Sequence, residues 1–172
     1  MKLAIALATA CAVLSAPAFA QSQTAPSTTG APIGTVSASD LVTGVIMADM
    51  FAVQLAQLAR KQGDNSNTTF AYEEMPADTK ATNDLKMLAR TVNLSIPTAL
   101  DREHQQKLEL LRNLSGNQFN NAFRNDEVQS TWDEIYLADV YAKKGNNADL
   151  KNWASTNLPK LRDQLNKAEK LS

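Results

Sequence analysis

Leu150, Ala154, Leu158, Leu161, Leu165 and Ala168 step along the C-terminal part of the chain by 4, 4, 3, 4 and 3 residues. Only a helix places such positions on one face, and a face this continuous must be covered by other helices. Three more stretches carry the same period. Leu41, Val45, Ala48, Ala52, Leu55 and Ala59 form one stripe, widened by Val42, Ile46 and Phe51. Phe70, Ala77, Ala81, Leu85, Leu88 and Val92 form another. Leu108, Leu111 and Leu114 start a third, which Phe119, Phe123, Trp132, Ile135, Tyr136 and Val140 continue as a long fourth segment. No stretch alternates apolar and polar residues between turn signals, so no strands are expected. The fold expected is all-α, an antiparallel four-helix bundle with one helix split.

Local signals bound these helices. Ser37 with Asp40 three residues on can cap the first, and Gly63 ends it after Arg60 and Lys61. Asn93 can supply a left-handed exit from the second, Asp101 or Thr98 starts the third, and Asn146 or Asn147 caps the last. Pro76, Gly116 and Pro159 are expected to kink or split their segments, each proline because it removes a backbone hydrogen bond and crowds the preceding turn. Gly44, Ala48 and Ala52 lie in one line and allow another helix to approach closely.

The N-terminus reads differently. Lys2 is the only charge before Asp40, and the apolar run Leu3 to Leu14 leads to Ala18-Phe19-Ala20. This is the pattern of a secretory signal peptide over residues 1–20, cleaved after Ala20. Residues 21–36 are uncharged and rich in Ser, Thr, Pro and Gly, which makes them a flexible leader. The helical domain is expected over 37–172. Export places the protein in the periplasm. Cys11, the only cysteine, lies in the signal and would be lost, leaving no thiol. Outside the signal, no uninterrupted apolar run of about 20 residues offers a transmembrane span.

Composition narrows the chemistry. With 17 basic and 18 acidic residues there is no basic excess for nucleic acid. A single histidine, His104, excludes a di-iron centre built on two Glu-x-x-His pairs and a zinc site with several imidazoles. At a helix start in Asp101-Arg102-Glu103-His104, it is expected to be exposed or locally bonded. There is no Gly-x-Ser-x-Gly elbow and no glycine-rich phosphate loop. A calcium site made only of carboxylates stays open, although no Asp-x-Asp-x-Asp-Gly loop occurs. The adjacent pairs Glu73-Glu74, Asp126-Glu127 and Asp133-Glu134 read as solvated helix faces. Trp132, Trp153, Phe119 and Phe123 read as core. Met47, Met50 and Met75 read as gap-filling core residues rather than as a copper site.

Asp49-Met50-Phe51, Gln57-Leu58-Ala59, the block from Met75 to Leu85, Leu108 to Phe119 with Leu114-Ser115-Gly116, and Leu158-Pro159-x-Leu161 resemble a secreted bacterial family, the domain of unknown function 4142 family. The likeness covers roughly Asp40 to Leu171. It implies a ferritin-like helical bundle exported to the bacterial envelope, often labelled a membrane or outer-membrane protein, with no established activity. Relatives commonly carry glutamate where this chain has Ala52, histidine where it has Thr79 and Thr131, and histidine near Gln164. The resemblance thus implies that an inward polar cluster has been replaced at those four positions, with Asp78 retained.

The sequence therefore predicts no catalytic, cofactor-binding or metal-ligating set, and no cofactor. The leading reading is a non-catalytic periplasmic helical-bundle protein that serves envelope maintenance or stress tolerance through binding. An alternative is a metal- or small-ligand-binding protein, a remnant oxidoreductase using carboxylates around Asp78. A third is a module that docks on an envelope protein partner.

Overall fold

A computed structural model describes residues 34–171; the expected signal peptide, Cys11 and nearly all of the leader lie outside the described residues. Helix α1 (Ala38–Gln62) starts where Ser37 Oγ accepts from the Asp40 N–H at 3.0 Å while the Asp40 carboxylate accepts from the Ser37 N–H at 2.9 Å. This reciprocal box satisfies two of the donors that a helix start leaves orphaned. Gly63 closes α1 with extended backbone, not the left-handed turn that often follows a helix. Glycine is needed there for space, since a Cβ would stand 2.7 Å from the Ala59 carbonyl oxygen. Helix α2 (Asn65–Thr91) begins at once, capped by Asp64, and exits through Asn93 at φ 56°. Asp101 caps α3 (Arg102–Arg112), Gly116 at φ 53° opens α4 (Gly116–Lys144), and Asn147 caps α5 (Ala148–Ala168).

Contacts between helices fix the topology. Gln62 at the end of α1 donates to the carbonyls of Leu111 and Leu114, just before α4, at 2.8 and 3.1 Å. Gly44, near the start of α1, packs on Leu137, near the end of α4, so closely that any Cβ would overlap the leucine. At Gly44 the expected small-residue line serves the approach of α1 and α4, which are antiparallel, while Ala48 and Ala52 further along it line cavities. Trp153 Nε1 donates to the Ala81 carbonyl at 3.0 Å, and Lys167 meets Glu74 at 2.9 Å, so α2 and α5 are antiparallel too. With α1 against α2 and α4 against α5, the four long helices form the ring α1–α2–α5–α4. Residues 92–115 cross from one end of the bundle to the other, carrying α3 along the outside of α1 and α4.

The all-α bundle is as expected, with one correction among the aromatic residues. Of the kink or split expected at Pro76 and Pro159, neither is a split: each proline lies inside one continuous helix. Both prolines lie on exposed faces, where water can take the carbonyl that loses its partner, so only one bond is forfeited. The break at Gly116 is real, and α3 is a separate fifth helix among the described residues. Trp132 and Tyr136 are not core but 51% and 54% exposed. The inward face of α4 is Phe119, Phe123, Glu127, Thr131, Ile135, Ala138 and Tyr141, which turns Trp132 and Tyr136 outward. Trp153, Phe119 and Phe123 are buried as expected. Helix α1 is long and apolar enough by composition to cross a membrane, with 56% of its most apolar stretch buried inside the bundle.

The core has two apolar halves. One gathers Leu41, Val45, Leu85, Ile135, Tyr141 and Leu150 with their neighbours. The other gathers Leu55, Phe70, Leu108, Phe119 and Phe123. Beyond the second half a polar clasp ties the α1–α2 turn to α4. Asn120 Oδ1 accepts from the Asp64 N–H and from Asn67 Nδ2, both at 3.1 Å, and Asn120 Nδ2 donates to Asp64 at 3.0 Å. Asn67 is fully buried. Replacing Asn120 by Ala removes all three side-chain bonds and leaves Asn67 Nδ2 only the backbone carbonyl of residue 120, at 3.4 Å, so chemical denaturation should show Asn120→Ala destabilised by about 2–3 kcal/mol.

Candidate functional site

Between the two apolar halves each long helix turns polar side chains inward. On α2 the inward spacing is Phe70, Glu74, Asp78, Thr82, Leu85 and Ala89, so two acids occupy apolar-stripe positions. On α4 Glu127 and Thr131 interrupt the stripe in the same way. Asp49 on α1 and Asn157 and Gln164 on α5 complete the layer. Together with Glu134 they line a cavity of about 40 Å³, room for a few waters or one small cationic group and no more.

This arrangement corrects the reading of the acidic pairs. Adjacent helix residues point about 100° apart, so one member of each pair goes in. Glu74, Glu127 and Glu134 face the cavity, while Glu73 and Asp133 are exposed and Asp126 is half-buried. The signal was present in the sequence: Glu127 stands four residues after Phe123, and Glu74 four after Phe70. Of the five positions singled out by family resemblance, Ala52, Asp78, Thr131 and Gln164 all line the cavity. Thr79 is exposed and does not.

The carboxylates are unequally satisfied. Glu74 is ion-paired with Lys167 at 2.9 Å. Asp78 accepts from the Gln164 amide at 3.2 Å. Glu127 is only 5% exposed, and although its backbone carbonyl accepts from the Thr131 hydroxyl at 2.7 Å, its carboxyl has neither a hydrogen bond nor an ion pair among the described residues. Asp49 Oδ1 is buried with no donor. Lys160 borders the cavity, but its ammonium turns to Asn157 Oδ1 at 3.2 Å. Five acids thus face one small space with a single cation bound to one of them.

Desolvation dominates their titration. Burial pushes Glu127 up to about 8, and the charges of Asp78, Asp126 and Glu74 act the same way. Burial, then Asp49 and Glu74, push Asp78 up to about 7 against the opposing Gln164 hydrogen bond. Glu134 is also raised well above the carboxylate range, by burial and then by its acidic neighbours, although one edge keeps some solvent contact. Burial raises Asp49, opposed by Lys86 and the Thr82 hydroxyl.

The residues present do not fit a di-iron centre. Among the described residues no group of three or more His, Cys, Asp and Glu side chains is arranged to hold one metal ion. His104 lies outside this cavity; its Nδ1 is 2.8 Å from Asp101, and its ring meets the Phe51 ring edge-on at 5.3 Å. Met47, Met50 and Met75 pack against the apolar core, in keeping with gap filling.

A raised folded pKa means the folded chain holds protons that the unfolded chain releases. The stabilisation is complete below the unfolded carboxyl values, near pH 4, and is lost as pH rises through 7 to 8. Thermal or urea unfolding should therefore show stability falling by roughly 2–4 kcal/mol between pH 5 and pH 8.5. Glu127→Gln should flatten that slope.

The sequence profile of the family described as Domain of unknown function (DUF4142) matches residues 22–171. No curated protein and no solved structure matches the chain. With the profile spanning most of its length, the chain belongs to the domain of unknown function 4142 family.

Proposed function

We propose that this is an exported, non-catalytic binding protein that takes a small cation into the polar layer around Asp78. The observation that carries the reading is Glu127, a buried carboxyl without a hydrogen bond or ion pair, facing a cavity with four other acids. Buried charges are normally paired, and a cationic ligand would supply the missing partner. A hydrogen-bonding cation, an ammonium group, suits the layer better than a metal ion. Ammonium donors reach acceptors spread around them, whereas direct metal coordination needs several oxygens within about 2.0–2.6 Å of one point. The signal-like segment at 1–20 supports action in the periplasm, and binding there would serve envelope maintenance or stress tolerance. The single long crossover supports a ferritin-like connectivity, which also has one. In this reading the ligand-binding layer survives where an oxidoreductase centre does not.

Purified chain should be assayed by thermal unfolding near pH 8.5 with alkylammonium, Mn²⁺ and Ca²⁺ salts, alongside its metal content by mass spectrometry. An alkylammonium ion should raise Tm, by about 2.7 kcal/mol of stability at a hundredfold excess over its Kd. Glu127→Gln should raise the ligand-free Tm at pH 8.5 but not at pH 5, and should abolish the ligand shift. Near-stoichiometric metal in the purified protein, or a shift with metal salts alone, would overturn the ammonium reading. No shift with any cation would overturn the site.

A further inference from the structure

We propose that a second cavity, between α1, α3 and α4, is the outer half of this site, and that the ligand spanning both halves is a linear aliphatic diamine. The inference rests on the core layer being a cation site and adds the chemical class of the cation. The outer cavity is about 230 Å³, much roomier than the inner one, and shares Ser130 and Glu134 with it. Small residues mark the partition between the two: Ala48 and Ala52 on α1, Ser130 on α4.

The two halves differ in a way that matches such a molecule. The inner half has space for one ammonium group among carboxyls, two of which lack donors: Glu127, 5% exposed, and Asp49 through its buried Oδ1. The outer half has an apolar wall of Met47, Phe51 and Leu137, suited to methylene groups. Asp126 and Asp133 lie on that cavity two helical turns apart on α4. The other charged or titratable groups facing it are Asp101, Lys107 and His104: Lys107 meets Glu103 at 3.5 Å, His104 Nδ1 lies 2.8 Å from Asp101, and Lys107 and His104 also oppose the burial that raises the Asp126 carboxyl. Among the described residues the Asp133 carboxylate accepts only from the Gln129 amide, at 3.0 Å. A diamine would set one ammonium in the inner layer, pass Ser130, lay its chain on the apolar wall, and present the second ammonium to Asp126 and Asp133. A monoamine would leave Asp133 without a cation, and a metal ion would leave the apolar wall unused.

The test is calorimetric titration of the full exported chain near pH 8.5 with 1,4-diaminobutane, n-butylamine and MnCl₂. The diamine is expected to bind at least about tenfold more tightly than the monoamine. The double variant Asp126→Asn with Asp133→Asn should reduce diamine affinity to the monoamine value and leave n-butylamine binding unchanged. A variant with the same loss of charge on exposed positions, Asp84→Asn with Glu109→Gln, should keep the diamine preference, which separates the outer cavity from general attraction to an acidic surface. Equal affinity for the two amines, or a preference that survives Asp126→Asn with Asp133→Asn, would overturn the outer half and leave the core site standing. Loss of the preference in the exposed control would overturn it as well. If neither amine binds wild type, or if Mn²⁺ alone does, the core ammonium reading fails and this inference fails with it.

Discussion

The structure depends on carboxyl groups held out of water between two apolar half-cores. Removing a carboxylate from water is costly unless it is paired, so the group either keeps its proton or gains a partner. Glu74 has Lys167 and Asp78 has Gln164; Glu127 and Glu134 have neither. The apolar halves on either side supply the burial that lets the bundle carry this unfavourable layer. Burying Phe119, Phe123, Leu55 and Leu108 on one side, and Leu41, Leu85, Leu150 and Tyr141 on the other, contributes about 1.5–3 kcal/mol per side chain. A bundle built for stability alone would place leucine at Glu127 and Asp78.

That conflict explains what the sequence could and could not reveal. The helices were legible because the period of 3.6 repeats through each, and the caps at Ser37, Asp101 and Asn147 stand where side-chain chemistry requires them. The polar layer was harder to see because a periodicity search follows apolar residues. In the middle of α2 it steps to Ala77 and Ala81, which stand beside the inward Asp78 and Thr82. Glu127 was legible in principle: it continues the spacing Phe119, Phe123 by another four residues. A charge exactly in phase with an apolar stripe carries more information than one out of phase.

Other gaps have different causes. Pro76 and Pro159 read as kinks or splits because the rule for proline concerns one bond and one contact; both are exposed, and each helix runs through its proline without a split. Trp132 read as core because large aromatic residues usually are, and Tyr136 joined the same stripe by its spacing. They belong instead to the exposed face of α4, which their neighbours Thr131 and Ile135 define by turning inward. The role of Asn67 and Asn120 needed the fold, since 53 residues separate them along the chain.

The crossover has a consequence of its own. Helix α3 lies outside the ring of four long helices and packs on it through one face, with Leu108 and Leu111 buried in the second half-core. It also furnishes one wall of the larger cavity through Asp101, His104 and Lys107. The residues of α3 that face the cavity are separate from the leucines that anchor the helix, so they can change without disturbing the framework. Exchanging those few side chains would change the shape and charge of the larger cavity while the costly inner layer stays fixed, so the two cavities are free to vary independently.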